Sequence, residues 1–196
     1  MIVNNPRGDH LRGRPRAPDR FSEVCALPKF IRISLERRGV SCVAELLEKD
    51  APRTAAAVWE ALADGPLGGP AQHAKYARNE VYSIVPRFGP TIGQENPTVT
   101  PIPGDVCYFD FHGGMLDASF KQDQDIDQAQ GGIDLAIFYG RNNLLLNGDV
   151  GWVPGNVYAT IVENLDAMAE ACHDVWRSGS VGERLVYERA PEQSSE

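Results

Sequence analysis

The stretch IDLAIFYG, residues 133–140, constrains the fold more than any other part of the chain. Its apolar residues do not alternate with polar ones. A strand that is apolar on both sides must be covered on both sides, so this segment is predicted to be the central, buried strand of a sheet. Other segments supply its neighbours. KFIRISLE (29–36) alternates, with Lys29, Ile31, Ile33 and Leu35 on one face and Phe30, Arg32, Ser34 and Glu36 on the other. That is the pattern of a half-buried strand. EVYSIVP (80–86), GDVCYFDF (104–111) and RLVYERA (184–190) also read as strands. VSCVAELLE (40–48), beyond the turn RRG, is either a hairpin-paired strand or the start of a helix.

Two stretches carry helical spacing. PRTAAAVWEALAD (52–64) opens with Pro52, which suits a first helical position, and repeats Ala55, Val58, Trp59 and Leu62 along one face. GPLGGP (65–70) stops it. Residues 156–176 start as a strand and pass into a helix carrying Leu165, Met168, Ala169, Cys172 and Trp176. AQHAKYAR (71–78) is predicted to pair with 80–86 around a tight turn at Asn79. Residues 87–104, with four prolines, and 141–155, with Trp152, read as long loops. The expected organisation is a flexible Arg/Pro-rich arm over 1–26, one domain over 27–190 with an acidic insert at 112–132, and a polar tail over 191–196. Many short strands and two helices imply a small β-barrel or a sheet with helices at its ends.

Charge narrows the partners. The chain of 196 residues carries a net charge of −8, which disfavours nucleic acid as a partner of the body. It has no apolar run long enough to span a membrane and no apolar stretch behind its basic N-terminus, so a cytoplasmic protein is expected. Cys25, Cys42, Cys107 and Cys172 form no CxxC pair, and Cys107 and Cys172 sit in apolar surroundings that suit reduced thiols. Exposed strand edges make a homo-oligomer an expected state.

The acidic insert raises a calcium question. Asp123, Asp125 and Asp127 occupy the first, third and fifth places of an EF-hand loop, and Asp134 the twelfth. Gln128 stands where that loop needs Gly, and a strand rather than a helix follows, which argues against it. His112 with Asp110 and Asp117 offers too few ligands in too irregular a spacing for a metal, and no cofactor is expected.

The order of several pieces resembles a known group. GPAQHAKYARNEVYSIVP, ENPTVTPIPGDVCYFD, IDLAIFYGR, GNVYATIVENLD and VGERLVYER follow one another across about residues 28–190. Together they are similar to the cyclophilin-like domain proteins, and among those to the DUF3830-type family of unknown function. The resemblance implies a mainly β fold, a cyclophilin-like closed β-barrel with two helices capping the barrel ends. Related domains occur in enzymes that handle allophanate and other amides or ureides, but fold alone does not fix function. The acidic insert and the Arg-rich arm depart from the shorter relatives.

Signatures such as HExxH, GxSxG, a Walker loop and GxGxxG are absent. PRFGPTIGQ offers Arg87, Phe88 and Gln94 in the order of a prolyl isomerase, without that enzyme's Met or its QGGD sequence. His73, Tyr76, Arg78, Glu80 and Tyr82 lie within eleven residues. They either line a mouth that binds a polar ligand or form an exposed hairpin with a cross-strand ion pair. Glu95 and Asn96 either organise a loop or join that ligand site. Tyr139 and Arg141 end the apolar strand, where an Arg suits a carboxylate. Trp152 either caps a pocket or covers the core. The expected function is a small-molecule binding barrel for polar carboxylates, amides or ureides. The alternatives are an enzyme or enzyme subunit acting on amides or ureides, and a weak prolyl isomerase.

Overall fold

In the computed structural model, residues 27–112, 126, 130–148 and 150–191 are described. The Arg-rich arm, Cys25, most of the acidic insert with Asp123, Asp125 and Asp127, and residues 192–196 lie outside the described residues.

The first strands are β1 (Phe30–Leu35), β2 (Val40–Leu46), β3 (Leu67–Pro70), β4 (Gln72–His73) and β5 (Glu80–Pro86). Then come β6 (Pro97–Thr98), β7 (Asp105–Phe111), β8 (Gly132–Phe138), β9 (Leu146–Asn147), β10 (Gly151–Trp152), β11 (Gly155–Glu163) and β12 (Arg184–Arg189). Ten of them form one antiparallel sheet in the order β3-β12-β1-β2-β11-β7-β8-β5-β4, with β6 also on β11. β9 and β10 make a separate two-stranded sheet. The helices among the described residues are α1 (Pro52–Ala61) and α2 (Leu165–Ser178).

Alternation places the core. Ile31, Ile33 and Leu35 are fully buried, while Arg32 of the opposite face pairs with Glu188 at 3.2 Å. Residues 40–46 are a strand, paired with β1 from Leu35↔Val40 to Phe30↔Glu45, and the apolar positions Cys42, Ala44 and Leu46 face inward. α1 sinks Thr54, Ala55, Ala57 and Val58, and α2 sinks Met168, Ala171, Cys172 and Val175 at helical spacing. Both faces join the main core. Burying a side chain such as Met168 stabilises the fold by roughly 1.5–3 kcal/mol.

β8 is buried at every position because its two faces serve two cores. Ile133, Leu135 and Ile137 enter the main core; Ala136 and Phe138 join a second cluster with Cys107, Phe109, Leu145 and Val157. It is not the middle strand, however, but third from one end of the path. Asp134 lies inside this strand at 6% exposure, so it is no loop ligand of a calcium site.

The sheet curls over the main core, and the Tyr187 hydroxyl of β12 donates across it to the Leu135 carbonyl of β8 at 3.0 Å. It does not close. The expected closed barrel is overturned: the path ends at β3 and β4, with no ladder joining them among the described residues. The end strands explain this. β3 is LGGP, whose Pro70 lacks an N–H to donate, and β4 has two residues. The GPLGGP segment does more than stop α1, since it supplies β3. A Cβ at Gly68 would stand 2.3 Å from the Leu185 carbonyl oxygen, so only Gly permits this close approach to β12.

The hairpin expected around Asn79 also differs. β4 ends at His73, and the Ala74 N–H bonds to the Glu80 carbonyl at 3.0 Å, so residues 75–79 bulge out as a loop. Arg78 within it takes a left-handed backbone, φ 69°. The buried Cys42, Cys107 and Cys172 are free thiols, and burial pushes the Cys42 thiol up to about 12. No helix among the described residues is long and apolar enough to cross a membrane.

Candidate functional site

β4 delivers His73 to the exit of β8. Its Nε2 lies 2.6 Å from the Tyr139 hydroxyl and its Nδ1 lies 3.0 Å from the Ala74 carbonyl oxygen. A carbonyl only accepts, so Nδ1 carries the proton and Nε2 accepts from Tyr139. Burial lowers the His73 pKa, against the raising effect of the Ala74 carbonyl, and His173 lowers it further. Burial pushes the Tyr139 phenol up to about 12. Both groups are therefore neutral near pH 7, joined by one hydrogen bond.

α2 supplies the facing wall. Its buried face is taken by Met168, Ala171, Cys172 and Val175, which leaves Ala169, His173, Trp176 and Arg177 on a neighbouring face. Trp176 packs on His73 with ring centroids 4.9 Å apart, and His173 meets Tyr139 edge-on at 6.3 Å. The helix is fixed here by Arg38 of the β1–β2 turn. Its Nη2 reaches Asp174 at 2.8 Å and its Nη1 reaches the buried Glu183 at 2.7 Å.

Between these elements is a cleft of about 420 Å³ lined by Asn79, Tyr139, Gly140, Ala169, Glu170, His173 and Arg177. On the other side of His73 is a second cleft of about 590 Å³, between Pro70–His73 and Ser180–Arg184. The His73–Tyr139 bond thus spans from one cleft to the other. Arg177 forms no salt bridge or hydrogen bond among the described residues, although its charge adds a little to the Arg38 and Ser178 hydrogen bonds that hold the Asp174 carboxyl below its ordinary range. Asn79 is locked in place: its Nδ2 donates to the Arg141 carbonyl at 2.7 Å, and its own carbonyl accepts from the Tyr139 N–H at 3.0 Å. A Cβ on Gly140 would stand 2.6 Å from the Asn79 side chain, so the glycine after Tyr139 makes room for this amide.

The residues nominated from sequence fall in several places. His73 and Tyr139 come together, with Tyr139 lining the first cleft and His73 the second. Arg141 contributes its carbonyl to Asn79 while its side chain is exposed. Tyr76, 61% exposed, and Arg78 stand on the outward loop. Glu80 is buried at 6% exposure, and the Tyr82 hydroxyl donates to Gln72 at 3.2 Å. Glu95 serves α1. Ala51 offers no side-chain cap, and the Glu95 carboxylate instead accepts from the Thr54 N–H at 2.7 Å, the Thr54 hydroxyl at 2.8 Å and the Arg53 Nε at 2.9 Å. Burial alone would raise its pKa, but these donors lower it on balance. Asn96 donates to the Val157 carbonyl at 2.8 Å. Trp152 is exposed on β10, opposite Leu146. Arg87 is held by Asp110, with Nη2 at 3.1 Å from Oδ2, and Phe88 packs on the core.

The sequence reading missed Asn79 as a liner and did not nominate Glu170, His173 and Arg177. Their spacing along 170–177 is visible in the sequence as the polar side of a helix. Nothing local indicates that this side looks onto His73. No group of three His, Cys, Asp or Glu side chains suited to a metal occurs among the described residues.

A family model for a protein of unknown function, DUF3830, matches residues 33–187. No curated protein matches the chain. Among solved structures, the fold is similar to that of McbB in complex with tryptophan, with a TM-score of 0.55 and 19% sequence identity. The similarity covers 85% of this chain and 46% of that one, so the chain spans about half the length of McbB.

Proposed function

The chain belongs to the DUF3830 family, proteins of unknown function, and we propose that this member binds a small polar molecule carrying a carboxylate, in the cleft between Tyr139 and α2. One observation carries the reading. Arg177 faces this cleft without an ion pair among the described residues, beside His173 and opposite a Tyr139 hydroxyl held in fixed orientation by His73. A guanidinium with open donors is a carboxylate anchor. Asn79 and Tyr139 supply the amide and hydroxyl that recognise an amide, ureide or amine elsewhere on the same ligand. The His173 ring, edge-on to Tyr139, gives an aromatic edge for an apolar part. McbB, whose fold is similar, is seen with tryptophan, a small carboxylate with an apolar ring, which supports the same class of ligand.

The test is thermal unfolding with a panel of small carboxylates, aromatic amino acids, amides and ureides. A ligand present at about 100 times its dissociation constant adds roughly 2.7 kcal/mol, and the midpoint rises by several degrees. A panel of carboxylates that leaves the midpoint unchanged overturns the proposal.

A second reading, an enzyme or enzyme subunit acting on amides or ureides, is favoured by the His73–Tyr139 pair, since a hydroxyl bonded to a neutral imidazole is a proton-transfer unit. Ammonia release from amides or ureides, lost in Tyr139→Phe, is its test. Prolyl isomerisation gains nothing from the geometry, because Asp110 engages Arg87.

A further inference from the structure

The cleft between Tyr139 and α2 carries two charges of opposite sign. Glu170 and Arg177 both line it, and both residues are exposed. They are seven residues apart on α2. Seven residues fall within about 20° of two full helical turns, so the two stand in one line along the helix. A rise of about 1.5 Å per residue sets them about 10 Å apart along its axis.

At that spacing the two charges do not satisfy each other, because helical ion pairs join residues three or four apart. The residues four before and four after Glu170 are Asp166 and Asp174, both of its own sign. Asp174 is already held by Arg38 and by the Ser178 hydroxyl. His173, three residues on, turns its ring to Tyr139. The Glu170 and Arg177 side chains form no salt bridge or hydrogen bond among the described residues. Each is therefore open to a ligand in the cleft. Between them the walls are slight: Ala169 contributes a methyl group and Gly140 no side chain. That leaves room for a hydrocarbon spacer beside the Tyr139 ring.

We infer that the ligand of this cleft is a zwitterion charged at opposite ends, an ω-amino or ω-guanidino acid, with its carboxylate on Arg177 and its cation on Glu170. The inference rests on the carboxylate reading of the same cleft and narrows it, making Glu170 the residue that determines specificity. Charge-assisted hydrogen bonds of about 2.8 Å at each end leave roughly 5 Å between the ligand's charged groups. A chain such as γ-aminobutyrate or δ-aminovalerate spans that gap. Glycine, whose two charges flank a single carbon, does not.

The experiment is calorimetric titration of the whole chain with valerate, δ-aminovalerate, γ-aminobutyrate, glycine and glutarate. The expected result is that δ-aminovalerate or γ-aminobutyrate binds once per chain, at least tenfold more tightly than valerate or glycine. Glu170→Gln brings the ratio of the δ-aminovalerate and valerate affinities close to one, and Glu170→Lys moves the preference to glutarate. Glu170 is exposed, so neither variant disturbs the core. Equal affinities for valerate and δ-aminovalerate, tighter binding of glycine, or a ratio that Glu170→Gln leaves intact overturns this inference while the carboxylate reading stands. So does failure of both ω-amino acids to bind when another carboxylate binds through Arg177. If no carboxylate binds at all, both are overturned.

Discussion

His73 and Tyr139 are 66 residues apart in the chain, and the imidazole Nε2 accepts from the phenol at 2.6 Å. The bond couples a two-residue edge strand to the end of the most buried strand, and it fixes the tautomer of a half-buried imidazole. Tyr139→Phe removes the donor and leaves Nε2 unsatisfied. The expected cost is about 1 kcal/mol in denaturant unfolding. The donor also favours the neutral ring, so the His73 pKa, followed by NMR, rises in the variant.

Gly140 and Asn79 make a tighter constraint. A methyl group at residue 140 displaces the amide that bonds the Arg141 carbonyl. Gly140→Ala is expected to cost about 1–3 kcal/mol by overpacking. It should also weaken ligand binding at the cleft, whereas Gly148→Ala, with nothing within 4 Å of the added Cβ, leaves binding unchanged. Calorimetry on the two variants makes the comparison.

Arg38 ties α2 to the sheet through Asp174 and Glu183. Glu183 also accepts the Arg37 and Arg184 N–H groups, at 2.9 and 3.1 Å, so these hold it in its buried position when Arg38 is removed. Arg38→Ala is expected to destabilise by about 3–5 kcal/mol, the range for a buried charge stripped of its partner. Asp174→Asn, at the exposed end of the network, is expected to cost far less, because solvent screens that pair. Urea unfolding of both variants distinguishes them.

The buried Glu80 sets a pH dependence. Its folded pKa is raised to about 8 by burial, above its ordinary value of 4.5. Between those values the folded chain holds a proton that the unfolded chain releases. Stability is therefore highest below about pH 4.5 as far as this group is concerned. It falls by up to 1.4 kcal/mol or so per pH unit as the pH rises toward 8. Glu80→Gln is expected to remove that slope and to be more stable than the unaltered chain near pH 8. Unfolding midpoints across this pH range provide the check.

Much of the fold is legible from local pattern. Ile31, Ile33 and Leu35 announce a one-sided strand, and the uninterrupted run at 133–138 announces burial on both faces. The family is legible too, from the order of its segments. The closed barrel is not borne out, because closure depends on how two sheet ends meet, and LGGP and a two-residue strand provide no ladder. The candidate site is half legible. His73 and Tyr139 stand out as polar residues at strand ends, but Glu170, His173 and Arg177 look like an ordinary solvated helix face. Only the docking of α2 through Arg38 brings that face to the cleft.

The most direct measurement is calorimetric titration of the strongest carboxylate from the thermal panel into the unaltered chain, Arg177→Ala and Asp134→Asn. The account predicts one site per chain, an affinity loss of tenfold or more in Arg177→Ala, and no change in Asp134→Asn. Undiminished affinity in a folded Arg177→Ala variant contradicts it and removes the cleft as the carboxylate site.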